Sequence, residues 1–157
     1  MKFFLIAIGR TGNQAIKSCI DNYLSRLKHY AQVETLVIAD VKDTRNMSHE
    51  QQKTAEGERV LRAIEPGDRV VLLDERGLQP TSTELAALLQ KRMASGLRRL
   101  VFVIGGPYGF SPAVYNRADA QLSLSRLTFN HEMVRLIFAE QLYRAFTILN
   151  HEPYHHE

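Results

Sequence analysis

Cysteine occurs once in these 157 residues, at Cys19, and tryptophan not at all. A single thiol excludes an intrachain disulfide and any Cys₄ or Cys₂His₂ zinc site, so apolar burial must hold the chain together, in keeping with a reducing, cytoplasmic setting. A dominant charge is missing too. The 20 Lys and Arg stand against 17 Asp and Glu, a net +3, and no basic run exceeds two residues (Lys91-Arg92, Arg98-Arg99). That argues against a dense nucleic-acid-binding stripe and leaves only a mild bias toward polyanions. No apolar run approaches the roughly eighteen residues of a membrane span. The longest hydrophobic region, 133–149, is broken by Arg135, Glu140, Gln141 and Arg144. The apolar run 3–8 is short, and Gly9-Arg10-Thr11-Gly12-Asn13 follows it where a secretory signal would place small residues for cleavage. It reads as a buried strand.

What is present is an average globular composition, 45% hydrophobic and 24% charged, in a length suited to one domain, 1–157. Strand-length apolar runs at 3–8, 33–39, 69–73, 100–104 and 120–124 alternate with helical periodicity. Helices are expected over 14–30, from Ser48 (a capping box with Gln51) to before Pro66-Gly67, over 83–95, after Ser111-Pro112, and over 131–149. Continuous apolar strands between helices predict an α/β fold, a mainly parallel sheet with helices on both faces. Ordinary connection rules predict it unknotted.

On the first helix, Cys19 falls among apolar positions and reads as a core thiol. The helix over 83–95 is expected to bury Leu85, Leu88, Leu89 and Met93. The last helix is apolar on more than one stripe, which predicts cover from several sides and a two-fold interface with a second copy.

Two glycine turns follow strands. Gly9-Arg10-Thr11-Gly12 lacks G-x-G-x-x-G and the P-loop Lys-hydroxyl pair, so it reads as a tight turn rather than a phosphate loop. Gly105-Gly106-Pro107-Tyr108-Gly109 follows the fourth strand, where bare backbone admits a ligand or simply turns a corner; spacing leaves both open. The tail 151–157 holds three of the six histidines. Pro153 between His151 and His155 prevents regular helical ligand spacing, so the tail is read as solvated or partner-held rather than as a metal site. Glu140 and Arg144 form an i,i+4 pair. Arg135 and Arg144, among apolar neighbours, are candidates for an anionic ligand or a subunit contact.

Taken together, Ile104-Gly105-Gly106-Pro107, Gly109, Ser111-Pro112, the run Ser123-Leu124-Ser125-Arg126-Leu127-Thr128, His131, Val134-Arg135, Glu140-Gln141-Leu142-Tyr143-Arg144-Ala145 and Pro153-Tyr154-His155 resemble the ribosomal RNA large subunit methyltransferase H family of the SPOUT superfamily. The resemblance spans essentially the whole chain. It implies an α/β knot, a C-terminal trefoil that binds S-adenosylmethionine, and methyl transfer to N3 of a pseudouridine in 23S rRNA on assembled ribosomes. The partners it implies are a second copy of the chain, as a homodimer, and the ribosome, with neither membrane nor DNA. Cofactor contacts carry over to Leu73, Gly106, Ser125, Arg126, Leu127, Thr128, Phe129 and Asn130. Catalytic candidates are Arg144 and Tyr154 as partners for charge developing on the base, and His155 as its general base, with Glu140 holding Arg144. Asn130 stands where the family usually has proline, and His156 where it usually has a basic residue. Two alternatives remain: a SPOUT enzyme for tRNA or free rRNA, and a non-catalytic RNA-binding module.

Overall fold

The computed structural model describes residues 1–156. Its elements are β1 (Lys2–Ile8), α1 (Gln14–Leu27), β2 (Gln32–Ile38), a 3₁₀ turn (Thr44–Asn46), α2 (His49–Ala63), β3 (Arg69–Leu78), α3 (Ser82–Met93), β4 (Arg99–Ile104), α4 (Pro112–Arg117), β5 (Ala120–Leu122) and α5 (His131–Leu149). Five strands form one sheet in the order β2-β1-β4-β3-β5, and every pairing is parallel. Strands β1 and β4 and the first half of β3 lack polar alternation because both sheet faces are covered there, whereas the edge strand β2 exposes Gln32, Glu34, Thr35 and Val37. Leu100, Phe102 and Ile104 point into a core shared with α1, α3 and α5, while Val101 and Val103 point into one shared with α2 and α4.

Helix starts follow their caps. Ser48 with Gln51 and Thr81 with Glu84 form capping boxes, and Ser111 accepts from the Val114 N–H ahead of Pro112. Asn130 caps α5 by accepting from the Glu132 N–H at 2.8 Å. Its φ of −58° is one that proline also adopts, so asparagine keeps the backbone course of the family's usual residue and adds a cap.

The breadth of apolar surface on α5 has an intrachain explanation. Lying against the sheet in the same core as α1 and α3, α5 buries Phe138, Ala139, Leu142, Ala145 and Phe146, leaving Leu136, Ile137, Ile148 and Leu149 half-buried and Met133 exposed. The chain's own helices thus provide much of the cover that sequence assigned to a second subunit. Other expectations also change. Cys19 is exposed, because α1 meets its neighbours along the line Ile16, Ile20, Tyr23 and Leu27, and Cys19 lies to one side. Leu88 is 42% exposed while Leu85 and Leu89 are buried. Helix α1 ends at Leu27 and β5 at Leu122, both earlier than periodicity suggested, whereas β3 runs on past Leu73 to Leu78.

Arg135 is an internal clamp rather than a ligand-binding cation. It is 6% exposed and donates to the Ile8 carbonyl at 2.5 Å, the Gly9 carbonyl at 2.8 Å and Thr11 Oγ1 at 3.0 Å, tying α5 to the end of β1. Removing it strands those buried acceptors. Arg135→Ala is expected to cost about 3 kcal/mol, measured by urea unfolding of the purified protein.

Candidate active site

A cavity of about 600 Å³ opens beyond the carboxyl ends of β4 and β5, beside Leu73–Arg76 in the middle of β3. Its floor is Leu73, Ile104 and Leu122; its walls are the turn 105–110 and the loop 123–131, with Lys53 of α2, Tyr115 of α4 and Val134 of α5 at the sides. Strand carboxyl ends are where open parallel sheets hold ligands, because the connecting loops diverge there.

Glycine is required in the turn by its surroundings. A Cβ on Gly106 would stand 2.6 Å from Glu56 Oε2, and one on Gly105 would press on the Phe110 ring at 3.1 Å. Gly109 has φ +82°, and its N–H donates to the Gly106 carbonyl at 3.2 Å. The opposing loop is shaped by its own side chains: Ser123 Oγ donates to the Ser125 carbonyl at 2.9 Å, and Ser125 Oγ accepts from the Leu127 N–H at 2.9 Å. Leu73, Gly106, Ser125, Leu127, Thr128, Phe129 and Asn130 all reach the cavity wall. Arg126 does not: it is exposed at the turn made by the Ser125–Leu127 bond and lies off the wall.

Sequence reading missed a polar group on the same wall. Tyr115 donates its hydroxyl to the Asp74 carboxylate, Arg76 Nη2 donates to the Tyr115 oxygen at 2.7 Å, and the Arg76 N–H donates to Asp74 Oδ1 at 2.9 Å. Burial pushes the Asp74 carboxyl upward, but the Tyr115 and Arg76 hydrogen bonds and the Arg76 charge outweigh it and leave Asp74 below its ordinary value. Burial, then the bond to Asp74, raises the Tyr115 phenol. The signal was the run Asp74-Glu75-Arg76 directly after an apolar strand. A strand read as 69–73 leaves that run outside the sheet and hides its approach to Tyr115.

The catalytic candidates form a second cluster. Glu140 Oε1 accepts from Arg144 Nε at 3.0 Å and Nη2 at 2.5 Å, so it fixes the guanidinium as expected. Arg144 Nη1 lies 3.3 Å from His155 Nδ1, and its guanidinium carbon sits 4.7 Å from the Tyr154 ring centroid. Tyr154 donates to Glu140 at 3.1 Å and stands 3.5 Å from the Tyr23 hydroxyl. Burial first, then the Tyr23 contact and the Glu140 charge, raises the Tyr154 phenol far above its usual value, so it stays protonated. The tail is held by its own chain: the Tyr30 hydroxyl donates to Glu152 at 2.7 Å, which pushes that phenol up to about 12. Glu157, the last residue of the tail, lies outside the described residues.

Pocket and tail cluster are separate within one chain. From α5 only His131 and Val134 reach the cavity. Arg144 is ten residues beyond Val134, about 15 Å along the helix axis. The Gly9–Gly12 turn is closed to a phosphate, since the Glu132 carboxylate accepts from the Gly12 N–H at 2.6 Å and the Asn13 N–H at 3.3 Å. Those backbone bonds, Gly12 foremost, lower the Glu132 pKa.

Comparison with known proteins places this geometry. The family model described as predicted SPOUT methyltransferase matches residues 1–155. A ribosomal RNA large subunit methyltransferase H from Porphyromonas gingivalis is 54% identical over 157 residues, covering all of both chains. Proteins of the same name from Parabacteroides distasonis and Christiangramia forsetii are 54% and 53% identical, the latter over 99% of each chain. Among solved structures, a probable methylase family protein from Haemophilus influenzae superposes with a TM-score of 0.55 at 12% identity. The match covers 95% of this chain and 66% of that one, just under two thirds of its length, and supports the fold alone. The family implies a knotted fold, whereas general connection rules alone predict an unknotted one. With the family model matched along residues 1–155 and full-length relatives more than half identical, the chain belongs to the SPOUT methyltransferases, in the ribosomal RNA large subunit methyltransferase H family.

Proposed function

We propose that this protein transfers the methyl group of S-adenosylmethionine to N3 of a pseudouridine in 23S rRNA, in the cytoplasm, with the assembled ribosome as substrate and a homodimer as the working unit. The observation that carries this reading is full-length identity above one half to relatives named for ribosomal RNA methylation. No helix among the described residues is long and apolar enough to cross a membrane.

The cavity fits the cofactor. Its volume lies within the ordinary range for small-molecule sites, its floor is apolar, and Gly106 offers bare backbone where any side chain would collide with Glu56. Leu73, Gly106, Ser125, Leu127, Thr128, Phe129 and Asn130 would hold it. When bound, the cofactor supplies a methyl group already activated by its sulfonium.

The chain's work is then alignment and charge handling. The base imide must lose its N3 proton. His155 is the candidate acceptor, a role that requires its Nδ1 to leave the Arg144 Nη1 contact, and Arg144, held by Glu140, would face the negative charge that follows on the base. Tyr154 stays protonated and adds an aromatic face for the nucleotide. Because these groups lie about 15 Å from their own chain's pocket along α5, a two-fold dimer that seats one tail beside the other subunit's cavity unites the two halves.

The test is incubation with methyl-labelled cofactor and ribosomes from cells lacking this activity, followed by mass mapping. One methyl on a single large-subunit pseudouridine is expected. Labelling of tRNA or free rRNA instead would reassign the substrate, and ribosome binding without transfer would make the chain a binding module. Light scattering should report twice the 17.9 kDa chain mass.

A further inference from the structure

Glu56 is a buried acid that no ion pair accounts for. It is 2% exposed on α2. Oε1 accepts from Gln52 Nε2 at 2.9 Å, while Oε2, also buried, has no hydrogen-bond partner. Arg59, one turn on, gives its guanidinium to the carbonyls of Ala39 and Asp40. Burial is the main influence on the Glu56 carboxyl and raises its pKa, with Asp40 adding to the rise and Gln52 and Arg59 opposing it. Filling space alone would cost less with an apolar side chain, since an acid pays desolvation here without a full set of partners.

The position of that free oxygen gives the residue a purpose. A Cβ on Gly106 would meet Oε2 at 2.6 Å and the carboxyl carbon and Oε1 at 3.2 Å, so the carboxyl lies flat behind the bare Cα of the turn that lines the cavity. The hydrogen that stands in place of that Cβ is a weak donor beside the unpartnered oxygen. The rest of α2 is seated against the same turn. The His49 ring stacks on Tyr108 with centroids 3.8 Å apart, and a Cβ on Gly57 would collide with Ser111 Oγ. Helix α2 thus backs the segment 106–111 at three points, with Glu56 the polar contact directly behind the cavity wall.

We infer that Glu56 is a positioning residue for the cofactor: wedged behind Gly106, its carboxyl sets how far the Gly105-Gly106 backbone stands into the cavity, and so governs cofactor affinity without touching the cofactor. The inference rests on the cavity being the cofactor pocket. Two properties follow. An oxygen at this point is needed, so glutamine serves and methionine does not. Affinity and stability then separate, because methionine removes a buried acid and stabilises the fold while the turn loses its brace.

Calorimetric titration of the full-length protein with S-adenosylmethionine, beside thermal melting, tests this. Glu56→Gln should bind within about threefold of wild type. Glu56→Met should bind roughly tenfold more weakly or worse, the scale seen when outer partners of ligand-holding groups are lost, with a melting temperature no lower than wild type. A second pair reads the contact directly: Gly106→Ala should lose both affinity and melting temperature, and Glu56→Ala in the same chain should restore part of each. Unchanged affinity in Glu56→Met, or a double variant no better than Gly106→Ala alone, overturns the proposal. Should Glu56→Met fail to fold, the double-variant comparison decides. Wild-type protein that binds no cofactor overturns the pocket assignment and this proposal with it. Wild-type binding with an indifferent position 56 overturns this proposal alone.

Discussion

Gly106→Val is expected to abolish cofactor binding while leaving a folded protein. Its Cβ would lie 2.6 Å from Glu56 Oε2, and the branched γ carbons have two ways out. Either they drive the carboxyl and α2 backward, an overpacking cost of about 1–3 kcal/mol, or the turn swings forward and its side chain fills the cavity. Both outcomes spoil the approach of a ligand to bare backbone. Affinity should fall by about 100-fold or more, roughly 3 kcal/mol, since one blocked contact surface also displaces the rest of the ligand. Calorimetry on protein with a native circular dichroism spectrum is the measurement. An unchanged dissociation constant in such protein would remove the glycine turn from the site.

The second large effect belongs to the tail. A chain ending at Pro153 keeps the Tyr30–Glu152 bond and with it the anchorage of residues 151–153, but loses Tyr154, His155 and the residues after them. Methyl transfer to ribosomes should fall about 10³-fold, the range expected when a proton acceptor and its neighbours are removed, with cofactor affinity within about twofold. The separation of tail cluster and pocket along α5 gives this variant a sharper use. Mixed dimers of a Gly106→Val chain and a truncated chain contain one intact pocket and one intact tail, on different subunits. If the tail serves the partner's pocket, such dimers regain one working site of two. If it serves its own, they stay inactive. Single-turnover methylation by co-expressed, doubly tagged dimers separates the cases, and full activity of the truncated chain alone would return the tail to a bystander role.

Much of this architecture was legible before any coordinates, for local reasons. Helix α5 runs over His131–Leu149 as its periodicity proposed, because Asn130 caps it within two residues. Strand β4 reads as an unbroken apolar run because its residues face two cores at once. The family resemblance rested on contiguous short motifs, and seven of the eight cofactor positions it named reach one cavity.

Errors arose where a residue's meaning depends on a partner remote in sequence. Cys19 looked buried because helical spacing does not reveal how wide a face the neighbouring helices cover. Strand β3 was cut short because its continuation past Asp74 depends on β5. A Cβ on Gly77 would fall 2.5 Å from the Gln121–Leu122 backbone, and only a bulge with glycine there lets Leu78 rejoin the ladder. Arg135 resembled a ligand-binding cation until the chain end of β1, 126 residues away, supplied its acceptors. The existence and type of most elements, the sheet type and the family resemblance were thus legible in local patterns that the sequence displays on its own. Which polar groups are buried, what they hold and how far the tail stands from the pocket were decided only by tertiary packing, because burial and hydrogen bonding depend on which distant segments share a surface.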